Sequence, residues 1–232
     1  MTIAVIRFPG TNNETDALRA LSLIPSGDPY LVSSTQGSDA LKNADGIIIP
    51  GGFSYGDYLR AGAVASVGAI MDGVRDLADD GKPILGICNG FQILAESGLL
   101  PGALLPNKSA HFICQWVYIK VSEENIGFTE GLEAAVIRLP IAHAEGNYYC
   151  TEDDLEILQS SGRIPFRYCN EEGVSSPEIN PNGAIDNIAG VLNERGNVLG
   201  MMPHPERASR PVLGSVDGLG ILENFVKATK EA

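Results

Sequence analysis

Pro83-Ile84-Leu85-Gly86-Ile87-Cys88-Asn89-Gly90-Phe91-Gln92 is the most informative stretch of the chain. A short apolar run of strand type leads into Cys88, and a segment of helical pattern, Gly90 to Ser97, leaves it. Glycines stand two residues before and two residues after the cysteine, where a Cβ would collide with the crowded backbone of a sharp turn. The pattern is that of a nucleophile elbow, a strand-to-helix turn that lifts a nucleophile clear of a sheet. A helix N-terminus stabilises a thiolate, and the N–H of Asn89 would point at an oxyanion formed above Cys88. The competing reading is a structural cysteine ahead of a helix, because free cysteine is often buried.

Working outward, Ile3 to Phe8 reads as a buried strand closed by Pro9-Gly10, and Thr11 to Leu23 has helical spacing. Tyr30 to Ser33 and Gly46 to Pro50 are further strands, the second running straight into Gly51-Gly52. Residues 61 to 79 carry Val64, Val67, Ile70, Met71, Val74 and Leu77 at three- and four-residue steps, which predicts one helix. Strands that alternate with helices and are nearly all apolar indicate an α/β fold, an open, mostly parallel sheet with helices on both faces. Ligands of such sheets sit beyond the C-terminal ends of the strands, where both glycine-rich turns lie. Trp116 to Val121 and Val136 to Ile141 predict strands of a mixed or antiparallel region. Val198 to Met202 is another strand, ending at Pro203-His204, and Asp217 to Lys230 is a closing amphipathic helix. No internal repeat interrupts this order.

The His204-Pro205-Glu206 string carries the second chemical signal. If the chain stays extended there, His204 and Glu206 point the same way, because side chains alternate with period two. Glu206 could then hold one imidazole nitrogen and leave the other to act on Cys88, as in a nucleophile–histidine–carboxylate triad. The bland alternative is a surface histidine in a proline-rich turn. The Gly51-Gly52 pair leaves backbone N–H groups unshielded at a strand end, and Gly52 is a candidate second oxyanion donor.

Composition removes several function classes. With 16 Lys and Arg against 29 Asp and Glu, the net charge of the 232-residue chain is −13. A phosphate backbone or an anionic lipid surface requires clustered cations. Neither a phosphate loop nor a GxGxxG fingerprint occurs, so no ATP or dinucleotide site of recognisable kind is expected. Folding would bury about 70% of the surface of a chain this long, which suits one domain spanning residues 1–232. The N-terminus lacks a signal-peptide pattern and no apolar run reaches the roughly 18 residues of a membrane span. A cytoplasmic chain with four free cysteines (Cys88, Cys114, Cys150 and Cys169) is the expectation. Their spacings match no zinc pattern, so no metal site is expected.

Gly86 to Gln92 followed far downstream by His204-Pro205-Glu206 resembles the class I (triad) glutamine amidotransferases, whose order is cysteine, histidine, glutamate. The longer strings narrow the resemblance. Pro50 to Gly62 (PGGFSYGDYLRAG), Asn89 to Leu94 (NGFQIL), Gly98 to Ala103 (GLLPGA) and Gly200 to Arg207 (GMMPHPER) are similar to the glutaminase subunits of phosphoribosylformylglycinamidine synthases. So are Arg7 to Asn12, Phe166 to Cys169 and Asn180 to Gly183, and together these strings reach from about residue 3 to about residue 227. Asn13 departs from a cysteine common in the family and Ala144 from a common glycine.

The resemblance implies a flavodoxin-like fold in which Cys88 attacks the glutamine amide, His204 moves the protons and Glu206 orients His204. It also implies that Gly52 and Asn89 hold the oxyanion and that Gln92 positions glutamine. No cofactor is implied in this chain. ATP and Mg are expected on a larger synthetase subunit that converts formylglycinamide ribonucleotide to formylglycinamidine ribonucleotide in purine biosynthesis, with a small third subunit bridging the two. A different flavodoxin-like cysteine hydrolase explains the elbow but not the His204–Glu206 pairing, and a catalytically silent binding module would have no use for an intact triad. Cys114 is expected to pack in the core, Cys150 and Cys169 to be structural, and His111 to sit on a loop or the surface. His143, in the segment Ala142 to Tyr148, faces either a partner or the active site, and Arg60 contacts a partner or a carboxylate or stands in solvent.

Overall fold

Ile3, Ala4, Val5 and Ile6 have apolar side chains on both faces of an extended segment, which forces that segment between two layers. It forms β1 (Thr2–Arg7) at the heart of a computed structural model that describes residues 1–122, 127–132 and 135–231. The chain continues through α1 (Glu14–Leu21), β2 (Asp28–Ser33), β3 (Gly46–Ile49), α2 (Ile70–Asp79), β4 (Ile84–Ile87) and α3 (Asn89–Glu96). The second half comprises β5 (Ala103–Leu105), β6 (Ile113–Val121), β7 (Val136–His143), β8 (Asn147–Tyr149), α4 (Glu152–Ser160), β9 (Phe166–Cys169), β10 (Ile188–Leu192), β11 (Val198–Met201) and α5 (Leu219–Glu231).

Nine strands form one sheet in the order β2-β1-β3-β4-β11-β10-β9-β6-β7, while β5 and β8 pair separately. The first five are mutually parallel, and their order is the 2-1-3-4-5 order of flavodoxin-like sheets. From β11 onward every pairing is antiparallel. β1 crosses to one side to reach β2 and β3 to the other to reach β4, so right-handed crossovers place α1 and α2 on opposite faces. α5 packs beside α1, and α3 covers β4 and β11. Every residue of β3, β4, β10 and β11 is buried, as strands covered on both faces must be. The accessible surface is 9735 Å², close to the roughly 10,000 Å² that chain length alone implies for a folded monomer.

Several predicted boundaries move. The helix expected over 61–79 is a 3-10 turn at Ala65–Val67 followed by α2, because Gly68 between them is extended (ψ 146°). Cys114, expected in the core, lies exposed on β6, where it pairs with Ala142 of β7, the last strand of the sheet. Cys150 and Cys169 are buried, and all four cysteines are free. α4, β9 and β10 form where no element was predicted. Among the described residues no helix is long and apolar enough to cross a membrane.

The elbow depends on close backbone approach. A Cβ on Gly90 would stand 1.8 Å from the Ile49 carbonyl oxygen, so α3 can press on β3 only without a side chain there. Gly90→Ala should therefore lower unfolding free energy by about 3 kcal/mol, the upper end of ordinary overpacking. Gly127→Ala, whose added methyl meets nothing within 4 Å among the described residues, should stay within about 0.5 kcal/mol of the parent. Urea midpoints at constant m-value compare the two directly.

Candidate active site

Cys88 stands between β4 and α3 with φ 52° and ψ −105°, a conformation in which an L-residue is strained. Its N–H donates to the Met201 carbonyl at 2.8 Å and its carbonyl accepts from the Gln92 N–H at 3.1 Å, which fixes the turn from both sides. The side chain is buried, with Sγ 3.7 Å from the Ala142 carbonyl oxygen.

His204 leaves the end of β11, the strand next to β4, and its N–H donates to the Pro140 carbonyl at 2.9 Å. His204 itself is extended (φ −102°, ψ 92°), but Pro205–Ala208 is a 3-10 turn. The period-two alignment expected for His204 and Glu206 is therefore replaced by a turn that folds the carboxylate back onto the ring. The pairing results all the same: Glu206 Oε1 lies 2.6 Å from His204 Nδ1, with both side chains at 2% exposure or less. Burial favours the neutral ring, but the charges of Glu206 and then Cys88 outweigh it and hold the His204 pKa well above its ordinary value. His204 Nε2 is buried without a hydrogen-bond partner, and Cys88 is the charged neighbour acting on the ring besides Glu206.

The glycine pair after β3 forms part of the same frame. A Cβ on Gly51 would come within 2.7 Å of both the His204 ring and Asn13 Oδ1, so the loop can close over the histidine only as glycine. Gly52 bridges to Thr11 and lines the cleft beside Cys88. Asn89 Oδ1 accepts from the Ser54 N–H at 3.1 Å, and its Nδ2 donates to Gln92 Oε1 at 2.9 Å. Gln92 Nε2 donates in turn to the Glu145 carbonyl at 2.6 Å. The first turn of α3 thus ties the 50–57 loop to the 143–146 segment across the mouth of the site. Cys88, His204, Glu206, Gly52, Asn89 and Gln92 all converge at the C-terminal ends of β3, β4 and β11.

Three residues in the cleft had been given no definite role of their own. His143, left open between a partner and the site, ends β7, is 3% exposed and faces the cleft. Glu145 and Asp57 line it too. The string His143-Ala144-Glu145 at a strand end repeats the histidine–x–carboxylate spacing of His204-Pro205-Glu206, and that was the available signal. Asn107, which orients His143, gave none, because it meets its partner 36 residues away in sequence. His111 is exposed, and Arg60 binds Glu96 across two hydrogen bonds of 2.5 Å. Among the described residues no group of three or more His, Cys, Asp and Glu side chains is placed to hold a metal ion.

The same chain is similar throughout to known proteins. The model of the CobB/CobQ-like glutamine amidotransferase domain matches residues 1–218. Phosphoribosylformylglycinamidine synthase subunit PurQ of Pyrococcus furiosus is 52% identical over 97% of this chain and 96% of its own. The subunit PurQ of Thermomicrobium roseum is 50% identical over 100% and 98%. A chain in the structure of PurLQS from Thermotoga maritima superposes with a TM-score of 0.84 at 42% identity, with 97% of each chain covered. Identity of this extent over nearly the whole chain, together with the shared fold, places the chain in the glutamine amidotransferase family of the PurQ subunits of phosphoribosylformylglycinamidine synthase.

Proposed function

We propose that this chain is the glutaminase subunit of a phosphoribosylformylglycinamidine synthase, a single amidotransferase domain that hydrolyses glutamine and passes ammonia to a synthetase subunit. The observation that carries the reading is the buried His204–Glu206 pair at 2.6 Å, next to a cysteine on a strained strand-to-helix turn. Glu206 orients the ring and stabilises its charge, so thiolate and imidazolium coexist in a site with little water.

The Cys88 thiolate attacks the side-chain amide carbon of glutamine, forming the S–C bond and moving the carbonyl π pair onto oxygen. The N–H of Asn89, one of the orphan donors of a helix start, and that of Gly52 hold this oxyanion. His204 Nε2 gives its proton to the amide nitrogen as the C–N bond breaks, and ammonia leaves. The resulting glutamyl thioester is opened by a water whose proton His204 takes, releasing glutamate and restoring the thiolate. Gln92 positions the substrate through the segment it clamps.

Ammonia is then used by the larger, PurL-type subunit, on which ATP and Mg belong, to convert formylglycinamide ribonucleotide to formylglycinamidine ribonucleotide in purine biosynthesis. A small PurS-type subunit completes the complex, as the PurLQS assembly of the Thermotoga maritima relative supports. No cofactor is required in this chain, and its place is the cytoplasm, where a free nucleophilic thiol stays reduced.

Cys88→Ala in the assembled complex should lower glutamate release by at least about 10⁴-fold, as loss of a covalent nucleophile does, while amination fed with ammonium salts continues. Glutamate release at the parent rate would remove the assignment. Glu206→Gln keeps the shape but removes the charge that holds His204 protonated. It should lower kcat/KM for glutamine by about 10²- to 10⁴-fold, by analogy with loss of the orienting carboxylate in other triads. Steady-state kinetics on the same complex give this number.

A further inference from the structure

Asn107 and Asn182 are buried, at 2% and 1% exposure, yet neither lines the cleft beside Cys88. Asn107 follows β5, and Asn182 belongs to the Asn180-Pro181-Asn182-Gly183 string between β9 and β10. Both reach one short turn, His143 to Gly146, which joins β7 to β8. A buried amide must engage its donors and acceptors or lose their hydration without return, so the partners of these two are informative.

Each carbonyl of that turn accepts from a donor outside it. The His143 carbonyl takes Asn107 Nδ2 at 2.8 Å, and the Ala144 carbonyl takes the Asn107 N–H at 2.8 Å. The Glu145 carbonyl takes Gln92 Nε2 at 2.6 Å, and the Gly146 carbonyl takes Asn182 Nδ2 at 2.7 Å. The Gly146 N–H donates to Asn107 Oδ1 at 3.0 Å, so the two asparagines hold this glycine by both of its polar groups. A Cβ on Gly146 would overlap the His143 ring, which closes the turn on its remaining side. The sense of each amide is fixed by its backbone partners: Asn107 Nδ2 faces two carbonyls, and Asn182 Oδ1 accepts from the Ala184 N–H at 3.0 Å. Asn107 Oδ1 therefore accepts from His143 Nδ1 at 3.0 Å, which sets the tautomer and the plane of that ring.

An ionised aspartate or a leucine of the same size could not make this set, because neither donates to a carbonyl. The remaining bonds anchor the asparagines themselves. Asn107 Nδ2 also reaches the His111 carbonyl at 2.9 Å, and Asn182 Nδ2 also reaches the Tyr168 hydroxyl at 3.2 Å. The Lys108 N–H donates to the Asn182 carbonyl at 2.8 Å, which joins the two segments that carry the asparagines. The elbow is fixed by a different set of bonds, from Cys88 to Met201 and to Gln92, and Gln92 alone belongs to both sets. His143, Ala144 and Glu145 line the cleft, so whatever places the turn places that wall. Resting on the glutaminase reading, we infer that Asn107 and Asn182 are positioning residues of the reaction: they act through the His143–Gly146 turn and set where the wall stands relative to Cys88. The turn is then in place before glutamine arrives, and binding does not have to order it.

The test measures glutamine hydrolysis by the complex assembled with its synthetase partner, with KM and kcat separated. Asn182→Ala and Asn107→Ala should each raise KM for glutamine by about 10-fold or more, within the roughly 10²-fold that a misplacement of about 1 Å can bring. The value of kcat per intact site should change by less than about threefold. Loss of folded protein behaves differently, because it lowers the number of working sites and leaves KM where it was. Asn197→Ala supplies that comparison. Asn197 Nδ2 holds the carbonyls of Ala78 at 2.8 Å and Lys82 at 3.0 Å, at the opposite end of β4 and β11 from the site. Its loss should lower the urea midpoint and keep the parent KM. Asn182→Asp preserves the side-chain volume and the bond from the Ala184 N–H but removes the donor to Gly146. It should raise KM in the same range, and it decides the matter if the truncations fail to assemble. The parent KM in the Asn182 and Asn107 variants, or an equal rise in Asn197→Ala, would overturn the positioning role and leave the glutaminase reading standing. No glutamate from glutamine in the parent complex would remove that reading and the positioning role with it.

Discussion

The contact between Gly90 and the Ile49 carbonyl sets the position of everything chemical in this protein. It allows α3 to begin directly over the end of β3, which forces the chain at Cys88 into the left-handed region. That backbone costs of order 1–3 kcal/mol and persists only where the surroundings over-determine it. Here they do: Cys88 is tied to Met201 on one side and to Gln92 on the other, and Gly86 leaves room for Leu94 beneath. Because β4 lies between β3 and β11, the same turn fixes which loops become its neighbours. The loop leaving β3 brings Gly51 and Gly52, and the loop leaving β11 brings His204 and Glu206. A cysteine at any other strand end of this sheet would have lacked one of the two.

The buried His204–Glu206 pair is better understood as a functional commitment than as a source of stability. A fully buried ion pair gains Coulomb energy but loses the hydration of both partners, and the balance is often near zero. Glu206 Oε2 and His204 Nε2 both remain without hydrogen-bond partners, which makes the balance less favourable still. What the arrangement secures is a ring whose one nitrogen is saturated and whose other nitrogen is held open toward Cys88. His143, buried in the same region, is driven in the opposite direction by burial and then by the His204 charge, and its partner Asn107 is a neutral amide where His204 has a carboxylate. Two buried histidines within one cleft are thus pushed in opposite directions, one by a carboxylate that outweighs its burial and the other by burial that no carboxylate offsets.

The parallel half of the fold and its elbow were legible in the sequence because their signals are local. Apolar runs ending in Gly-Gly or Gly-x-Cys-x-Gly are read within ten residues. The 61–79 segment misled because the spacing of Val64 and Val67 imitates the helix that starts only at Ile70, while Gly68 breaks the path between them. Val67 is in fact exposed. α4 was overlooked although Thr151 caps it by accepting from the Asp154 N–H, a start signal visible in the string Thr-Glu-Asp-Asp. β9 and β10 form for reasons outside their own residues, since each is shaped by the strands already standing beside it. The His204–Glu206 pairing was predicted from a strand geometry that the chain does not adopt. The pairing forms all the same, because a residue spacing of two also suits a proline-initiated 3-10 turn.

The antiparallel extension matters to the site in a way strand order alone conceals. β7 is the edge strand, four positions from β11, and in a flat sheet that separation is about 19 Å. Yet the Pro140 carbonyl of β7 accepts from the His204 N–H at 2.9 Å, and the Ala142 carbonyl lies 3.7 Å from Cys88 Sγ. The sheet must therefore twist and curl until its far edge returns over the C-terminal ends of β4 and β11, as large sheets tend to do. The curl serves two needs. It occupies an edge whose unpaired backbone groups would otherwise be open to another chain, with the Arg138 N–H also taken by Asp217 at 2.8 Å. It also closes the cleft with a wall that carries His143 at its end and leads into Glu145. The parallel half brings Cys88 and His204 together by itself, but His143 and Glu145 reach the cleft only because the antiparallel half folds back.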